Sequence, residues 1–477
     1  MPALSLIETQ VMKNSSLFKR FIIAVAVSVG LIAQLPACAA DFSGPADPHD
    51  TQAALNAFVS GKPGVGIIAG VVNGKTISVY KAGDLGASGP ALNEDTVFQI
   101  GSVTKTFTAT LLALMAMQSE VRLNDPIQRY LPAGVRAPSF AGTPITLLNL
   151  AEQNSGLPRL PNNLDPSDRA DPYASYSTPM LDDFLSHYSL TRAPGAQYEY
   201  SNLGVGLLGD LLANRANEPY AQLVLQRILK PLGMRHTALS LSRQMRALLA
   251  PGQTVDGTAQ GPWTFGELFA AGAIDSTMRD MLIYLRANMA QTASTRLEKA
   301  MAFAQKPRYP TGLNGVMQIG LVWQTNTASR ITWHNGETGG YHAFIGFNRA
   351  KAFGVVVLSN VADMNVDNVA IHLLAPRAVA APKPLPPALA VPRATLQRYT
   401  GVYQMTPTFQ IAISMRGGDL YAQATGQPAL RLYPSSPSAF FLRVVDAQII
   451  FQLDAAGNVT GLVLHQNGVD QPARKIQ

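Results

Sequence analysis

The chain has 477 residues, 47% hydrophobic and 14% charged, with a formal net charge of +7. That length allows one large core plus a second, smaller domain. Its single cysteine excludes an intrachain disulfide, and without a basic run beyond residue 40 it carries no nucleic-acid signature.

Residues 1–40 read as an export leader. Lys13, Lys19 and Arg20 form the basic region, Phe21 to Leu35 the apolar run, and Pro36-Ala-Cys-Ala-Ala40 the small-residue cleavage region before Asp41. Cleavage after Ala39 or Ala40 fits this pattern, with Met12 as an alternative start. The apolar run is short for a membrane span, so no stable span is expected after cleavage, and the location would be periplasmic or secreted. Leu35-Pro-Ala-Cys38 matches a lipoprotein box only loosely because of the proline at 36, which makes lipid anchoring at Cys38 the weaker reading. Removal of the leader leaves a net charge of +5.

Residues 41–376 form the predicted first domain. Gly66 to Val72 and Lys75 to Tyr80 flank Asn73-Gly74, a hairpin signal. Helical patterns then dominate from Val103 to about Asn288, with Leu203 to Ala216 and Tyr220 to Leu229 the clearest. Strand patterns return at Met317 to Gln324, Ile331 to His334, Ala343 to Phe347 and Gly354 to Ser359, and Val366 to Leu374 reads as a closing helix. Strands at both ends with helices between predict an α+β domain: an antiparallel sheet built from both termini, covered by helices and joined to a helical lobe. Residues 377–396 are a proline-rich linker. Short apolar or alternating runs between Phe409 and His465, broken by Gly417-Gly418 and Asp454-Ala-Ala-Gly457, predict a small all-β barrel or curved sheet over 397–477.

Ser-x-x-Lys occurs three times, at Ser16/Lys19, Ser78/Lys81 and Ser102/Lys105. The first lies in the leader. The second lies in a strand, where i and i+3 face opposite ways. Only Ser102 follows a short apolar strand and a glycine bend and precedes a long apolar helix. There i and i+3 share a helix face, so the lysine amine can lie beside the hydroxyl, and the helix start adds free N–H groups. Tyr200-Ser201-Asn202, ahead of another helix, supplies the chain's single Tyr-x-Asn. A tyrosine near a lysine ammonium can be driven toward phenolate and serve as base, and Asn202 could hold Lys105 and a substrate amide. Taken singly, these two residues read better as a half-buried aromatic and a helix cap. His334-Asn335-Gly336-Glu337 ends a strand. There a polar side chain can meet a ligand, the glycine lets a substrate backbone approach, and the N–H groups of Ser102 and Glu337 could form an oxyanion hole; a plain β-turn with an exposed histidine is the alternative.

In this order the three motifs resemble the serine β-lactamase and penicillin-binding D-Ala-D-Ala peptidase superfamily, with class C β-lactamases the nearest look. Phe98-Gln-Ile-Gly-Ser-Val-Thr-Lys105, Asn154-Ser-Gly-Leu-Pro158, Pro194-Gly195 through Tyr200-Ser-Asn202, Pro231-Leu-Gly-Met234 and His334-Asn-Gly-Glu-Thr-Gly-Gly340 carry the resemblance across Gly66 to Leu374. The tail resembles the lipocalin-like β domain attached to some members. The resemblance implies that Ser102 attacks a carbonyl, that Lys105 and Tyr200 take its proton, and that Asn202, His334, Asn335, Gly336 and Glu337 bind substrate or the oxyanion. Two departures stand out. Class C enzymes have Lys-Thr-Gly where this chain has His-Asn-Gly, and a glutamine where Leu160 stands, with Asn162 or Asn163 as possible substitutes. A histidine is only partly charged near neutral pH, so an imidazolium anchor would weaken between pH 6 and 8.

The implied substrates are β-lactams or D-amino-acid cell-wall peptides. An ester substrate, or a receptor acylated without turnover, remains an alternative. No cofactor is expected. The seven histidines are scattered without a His-Glu-x-x-His, so no metal is expected either, and His342 reads as a packing residue.

Overall fold

The computed structural model describes residues 46–165, 170–312, 315–386, 388–407, 409–427, 429–445, 447–466 and 469–477. The leader over 1–40 lies outside them. The chain divides into two compact units, one ending at Pro386 and the other comprising the C-terminal barrel.

The first unit opens on helix α1 (Pro48–Val59). Asp47 caps it, accepting the Asp50 N–H at 2.8 Å, and the proline at the first position supplies a helical φ without losing a needed donor. Strands β1 (Gly66–Asn73) and β2 (Thr76–Gly83) form the expected hairpin, with Asn73 opposite Thr76 and Gly74 at φ +59°. Helices α2 (Thr104–Met117), α3 (Asn202–Ala216) and α4 (Met278–Asn288) follow. The chain then returns to the sheet as β3 (Tyr309–Pro310), β4 (Met317–Ile319), β5 (Gln324–Asn326), β6 (Ile331–Glu337), β7 (His342–Asn348) and β8 (Phe353–Ser359) before α5 (Asn365–Leu374). The sheet order is β2-β1-β8-β7-β6-β5-β4-β3, antiparallel throughout, so strands from both ends meet at β1 and β8. The single strand expected over Met317 to Gln324 is two, interrupted where Val322 adopts φ +56°.

Strand alternation divides the core between two faces. Ile68, Val72, Ile345, Phe347, Val356 and Leu358 pack with Met278, Met281 and Leu285 of α4 and with α2. Ile67, Ala69, Phe344, Val355 and Val357 pack with Leu55 and Phe58 of α1 and with Val366, Val369 and Ala370 of α5. Helix α2 is buried from Thr104 to Met115: its second half is apolar all round, and in its first half Thr106, Thr108 and Thr110 satisfy their hydroxyls on the carbonyls of Val103, Ala270 and Thr106. The α+β architecture is therefore a sheet between helical layers, with α2 central.

The second unit begins with a short helix, Arg393–Arg398, covering the last residues of the expected linker. Eight strands then close a barrel: β9 (Gly401–Thr406), β10 (Phe409–Arg416), β11 (Asp419–Ala424), β12 (Leu430–Pro434), β13 (Ala439–Phe441), β14 (Ala447–Leu453), β15 (Val459–Gln466) and β16 (Val469–Lys475). Each strand pairs with the next, and β9 meets β16 through Tyr403 opposite Lys475, which removes both sheet edges. Tyr399, Tyr403, Phe440, Phe451 and Leu462 fill its core.

Candidate active site

The short strand Val97–Gln99 pairs with Asp275–Thr277 and delivers the chain to Gly101. Gly101 turns at φ +48° into one 3-10 turn, Gly101–Val103, which leads into α2. Ser102 lies in that turn and Lys105 on the first turn of α2. This backbone runs against β6 with no room to spare. A Cβ at Gly101 would sit 2.7 Å from the Glu337 nitrogen, and one at Gly336 would sit 2.1 Å from the Ile100 carbonyl oxygen and 2.6 Å from the Ser102 nitrogen. Two glycines thus allow the nitrogens of Ser102 and Glu337 to approach one another, the arrangement an oxyanion hole needs.

Lys105 is fully buried. Its Nζ lies 2.8 Å from Ser102 Oγ and donates to the Ala271 carbonyl at 2.6 Å. Gly206 and Gly209 of α3 make the second contact possible, because side chains there would collide with Leu268 and Ala270 of the segment ending at Ala271. Burial, then the charge of Arg159, holds Lys105 well below the ordinary lysine range. As a neutral amine it can donate to Ala271 and still accept the Ser102 proton.

Tyr200 precedes α3, whose cap Ser201 accepts the Gly204 N–H at 2.8 Å. The neighbouring loop clamps this segment. Gln153 takes the Glu199 N–H on its carbonyl and the Ser201 N–H on its side chain, each at 2.7 Å, and the Arg159 carbonyl takes the Asn202 N–H at 3.0 Å. Lys105 Nζ lies 5.0 Å from the centre of the Tyr200 ring and the Arg159 guanidinium carbon 5.1 Å from it. Burial nevertheless pushes the Tyr200 hydroxyl up to about 12, against the lowering effects of its hydrogen bond with Ser102 and of Arg159. The phenolate is therefore not favoured at rest: burial outweighs the lowering effects of Ser102 and Arg159, while Lys105, itself held well below the ordinary lysine range, lies beside Ser102 Oγ as the nearer proton acceptor.

His334, on the α2-facing side of β6, is 2% exposed, with its ring centre 6.5 Å from that of Tyr200. Burial is the main cause that lowers it to about 3, and any charge on Lys105 adds to that effect. Burial thus disfavours the charged ring that an imidazolium anchor would require. Nδ1 lies 2.6 Å from the Asn335 carbonyl, which can only accept, so Nδ1 carries the proton and Nε2 offers a lone pair. Strand alternation turns Asn335 and Glu337 to the opposite face. Asn335 donates to Asp367 at 2.7 Å, and His342 bridges Glu337 at 3.0 Å and Asp367 at 2.9 Å. The side chains of Asn335 and Glu337 are therefore withdrawn from the substrate side, and only their backbone faces it. His342 is more than packing. Burial opposes its charge, but Asp367 and Glu337 outweigh burial and raise it to about 10.

Asn202 donates to the Tyr173 hydroxyl at 3.0 Å, and its Oδ1 is buried without a partner. It does not hold Lys105, whose partners are Ser102 and Ala271. Asn163 is committed to Met180 and Tyr176, which corrects its suggested substrate role. Sequence reasoning passed over Gln153, Arg159, Tyr173 and Ala271. It also passed over Asp47, His49 and Asp50, whose ligating atoms lie within 4.8 Å of one another at the exposed start of α1. No helix among the described residues is long and apolar enough to cross a membrane.

The model described as Beta-lactamase matches residues 54–379. The chain belongs to the β-lactamase family. It is 32% identical over 281 residues to the D-alanyl-D-alanine-carboxypeptidase/endopeptidase AmpH of Escherichia coli, spanning 55% of this chain and 71% of that protein. It is 30% identical over 315 residues to a β-lactamase of Pseudomonas fluorescens, spanning 58% of this chain and 83% of that one. A solved β-lactamase/D-alanine carboxypeptidase from Yersinia pestis superposes with a TM-score of 0.60 at 26% identity, over 70% of this chain and 99% of that one. Within the family this chain is a β-lactamase-related serine hydrolase with a class C-like fold. Its tail, residues 385–475, matches a domain of unknown function, DUF3471.

Proposed function

We propose that this family member is an exported hydrolase that forms an acyl intermediate on Ser102 and acts on amide bonds of β-lactams or D-amino-acid cell-wall peptides. The observation that carries the reading is the buried Lys105 amine 2.8 Å from Ser102 Oγ, in a protein similar to a D-alanyl-D-alanine-carboxypeptidase/endopeptidase and to a β-lactamase. The leader pattern over 1–40 supports export.

In this reading Lys105, resting neutral, takes the Ser102 proton as Oγ adds to the carbonyl carbon. The backbone N–H groups of Ser102 and Glu337 receive the oxyanion. Tyr200, protonated at rest, gives its proton to the departing nitrogen and regains one from the Lys105 ammonium. This leaves an acyl-serine and a neutral lysine again. Water then attacks the ester, its proton passes to the same pair, and Ser102 recovers its hydroxyl. His334 Nε2 supplies an acceptor and no charge.

The test is intact-mass spectrometry after mixing the protein with a penicillin, an acyl-D-Ala-D-Ala peptide and a p-nitrophenyl ester. Turnover of the peptide or penicillin through a Ser102 adduct supports the proposal. Turnover confined to the ester makes the protein an esterase, and a penicillin adduct that never turns over makes it a receptor.

A further inference from the structure

A cavity of about 480 Å³ opens beside the start of β6 and the end of β7, and none of Ser102, Lys105, Tyr200 or His334 lines it. Three cations do. Lys306 follows the helix Arg296–Ala304, Arg330 directly precedes β6, and Arg349 begins the 3-10 turn after β7. No aspartate or glutamate lines the cavity, and among the described residues none of the three cations forms an ion pair. Like charges gathered around one concavity repel each other, and the field they share attracts an anion.

Lys306 and Arg330 are exposed, whereas Arg349 is half-buried and fixed in place. Its Nη2 donates to the Asn288 carbonyl at 2.8 Å and to Gln305 Oε1. Gln305 is itself buried, and its Nε2 donates to Asn288 Oδ1 at 2.7 Å. One amino group of the guanidinium is therefore locked onto a rigid pair of residues. The other three N–H donors, on Nε and Nη1, have no partner among the described residues. Burial pushes Arg349 below the ordinary arginine range, and no carboxylate acts to raise it. Its neutral partners satisfy hydrogen bonds without balancing the charge, and a half-buried cation with no counter-charge is costly. The missing counter-charge must come from outside the chain.

The shape of the site selects among anions. A carboxylate is planar and pairs side by side with one guanidinium. Three cations on three separate segments suit a phosphoryl group, which offers three strong acceptor oxygens. The cavity is also of the size that takes a small organic ligand, and Ala302, Phe347 and Ala350 supply apolar wall for the rest of that ligand.

We propose that this cavity is a binding site for a small organic phosphate, with the phosphoryl group held by Arg349, Arg330 and Lys306 and the apolar body set against Phe347. The site is separate from the Ser102 chemistry and does not depend on it.

The experiment is calorimetric titration of the full-length protein with phenyl phosphate, orthophosphate and neutral phenol. Wild type should bind phenyl phosphate with a Kd below about 1 mM, and more tightly than either of the other two. Arg349→Gln should weaken that binding about tenfold or more, the scale of a hydrogen bond to a charged group, and Arg349→Lys should recover part of it. Arg330→Gln, at an exposed position, should weaken it severalfold and decides the matter if Arg349→Gln fails to fold. Ser102→Ala should bind phenyl phosphate as wild type does, and Arg349→Gln should form the p-nitrophenyl ester adduct at the wild-type rate. No binding of phenyl phosphate by wild type, or equal affinity in wild type and both glutamine variants, overturns the assignment. Orthophosphate binding as tightly as phenyl phosphate would mark an adventitious ion only, and loss of binding in Ser102→Ala would place the phosphate at the active site; either result also overturns it.

Discussion

Gly336→Ala puts the geometry at its tightest point under test. The added methyl would sit 2.1 Å from the Ile100 oxygen, 2.6 Å from the Ser102 nitrogen and 2.8 Å from the Val103 nitrogen. All three are backbone atoms, so no side chain can swing aside. Restoring an ordinary contact of roughly 3.5 Å to the carbonyl requires β6 and the Ser102 turn to part by about 1.4 Å. A displacement near 1 Å at a reacting centre costs on the order of 100-fold, and loss of one oxyanion donor costs about 100- to 1,000-fold, or roughly 3–4 kcal/mol. Acylation by a p-nitrophenyl ester should therefore fall about 100-fold or more. Overpacking should also remove about 1–3 kcal/mol of stability, visible as a drop in thermal midpoint. Gly261 is the control, because a Cβ there meets nothing within 4 Å, and Gly261→Ala should match wild type in both assays. If Gly336→Ala acylated within threefold of wild type, the close approach of β6 to Ser102 would have no part in the chemistry.

Lys105→Ala should lower acylation by about 100- to 10,000-fold, the usual reach of a positioned proton acceptor; a loss under tenfold would remove Lys105 as the base. Because Lys105 must be neutral to act, kcat/KM should fall as pH drops through its lowered value. Arg159→Gln, which removes a charge that disfavours the ammonium, should move that acid limb to higher pH, and a limb that stays put would contradict the coupling. His334 titrates near 3, so His334→Gln should remove no inflection between pH 5 and 8; an inflection near 6.5 in wild type that the variant lacks would show a charged ring. His342 has an ordinary value of 6.5 and a folded value of about 10. Its pairing with Asp367 and Glu337 therefore stabilises the fold fully below about pH 6.5, and that stabilisation fades as pH rises toward 10. The gap in thermal midpoint between wild type and His342→Gln should be wider at pH 6 than at pH 10, and a gap that stays constant or widens would refute the charged bridge.

The strands and central helix were legible because their apolar patterns have the right period, as in β1 and in Val103 to Met117. Ser102, Lys105, Tyr200 and His334 were legible because each stands in a distinctive local phrase, and α2, α3 and β6 do bring them together. Protonation was not legible. The lowered values of Lys105 and His334 come from burial that only tertiary packing creates, and the same burial outweighs Arg159 beside Tyr200. Arg159 left no signal, since one arginine after Gly-Leu-Pro has no pattern around it until α3 folds against its carbonyl. In the barrel, β16 escaped notice because Val469-Asp-Gln-Pro-Ala-Arg-Lys475 is mostly polar. Its strand character comes from pairing with β9 and β15, and Ala473 is the residue it buries.

The central claim is that Ser102 carries the acyl group, and peptide mapping of the protein after exposure to a penicillin tests it most directly. The account predicts a penicilloyl mass increment on the peptide containing Ser102 in wild type and none in Ser102→Ala. An increment on any other residue, or undiminished penicillin or peptide turnover by Ser102→Ala, would contradict it.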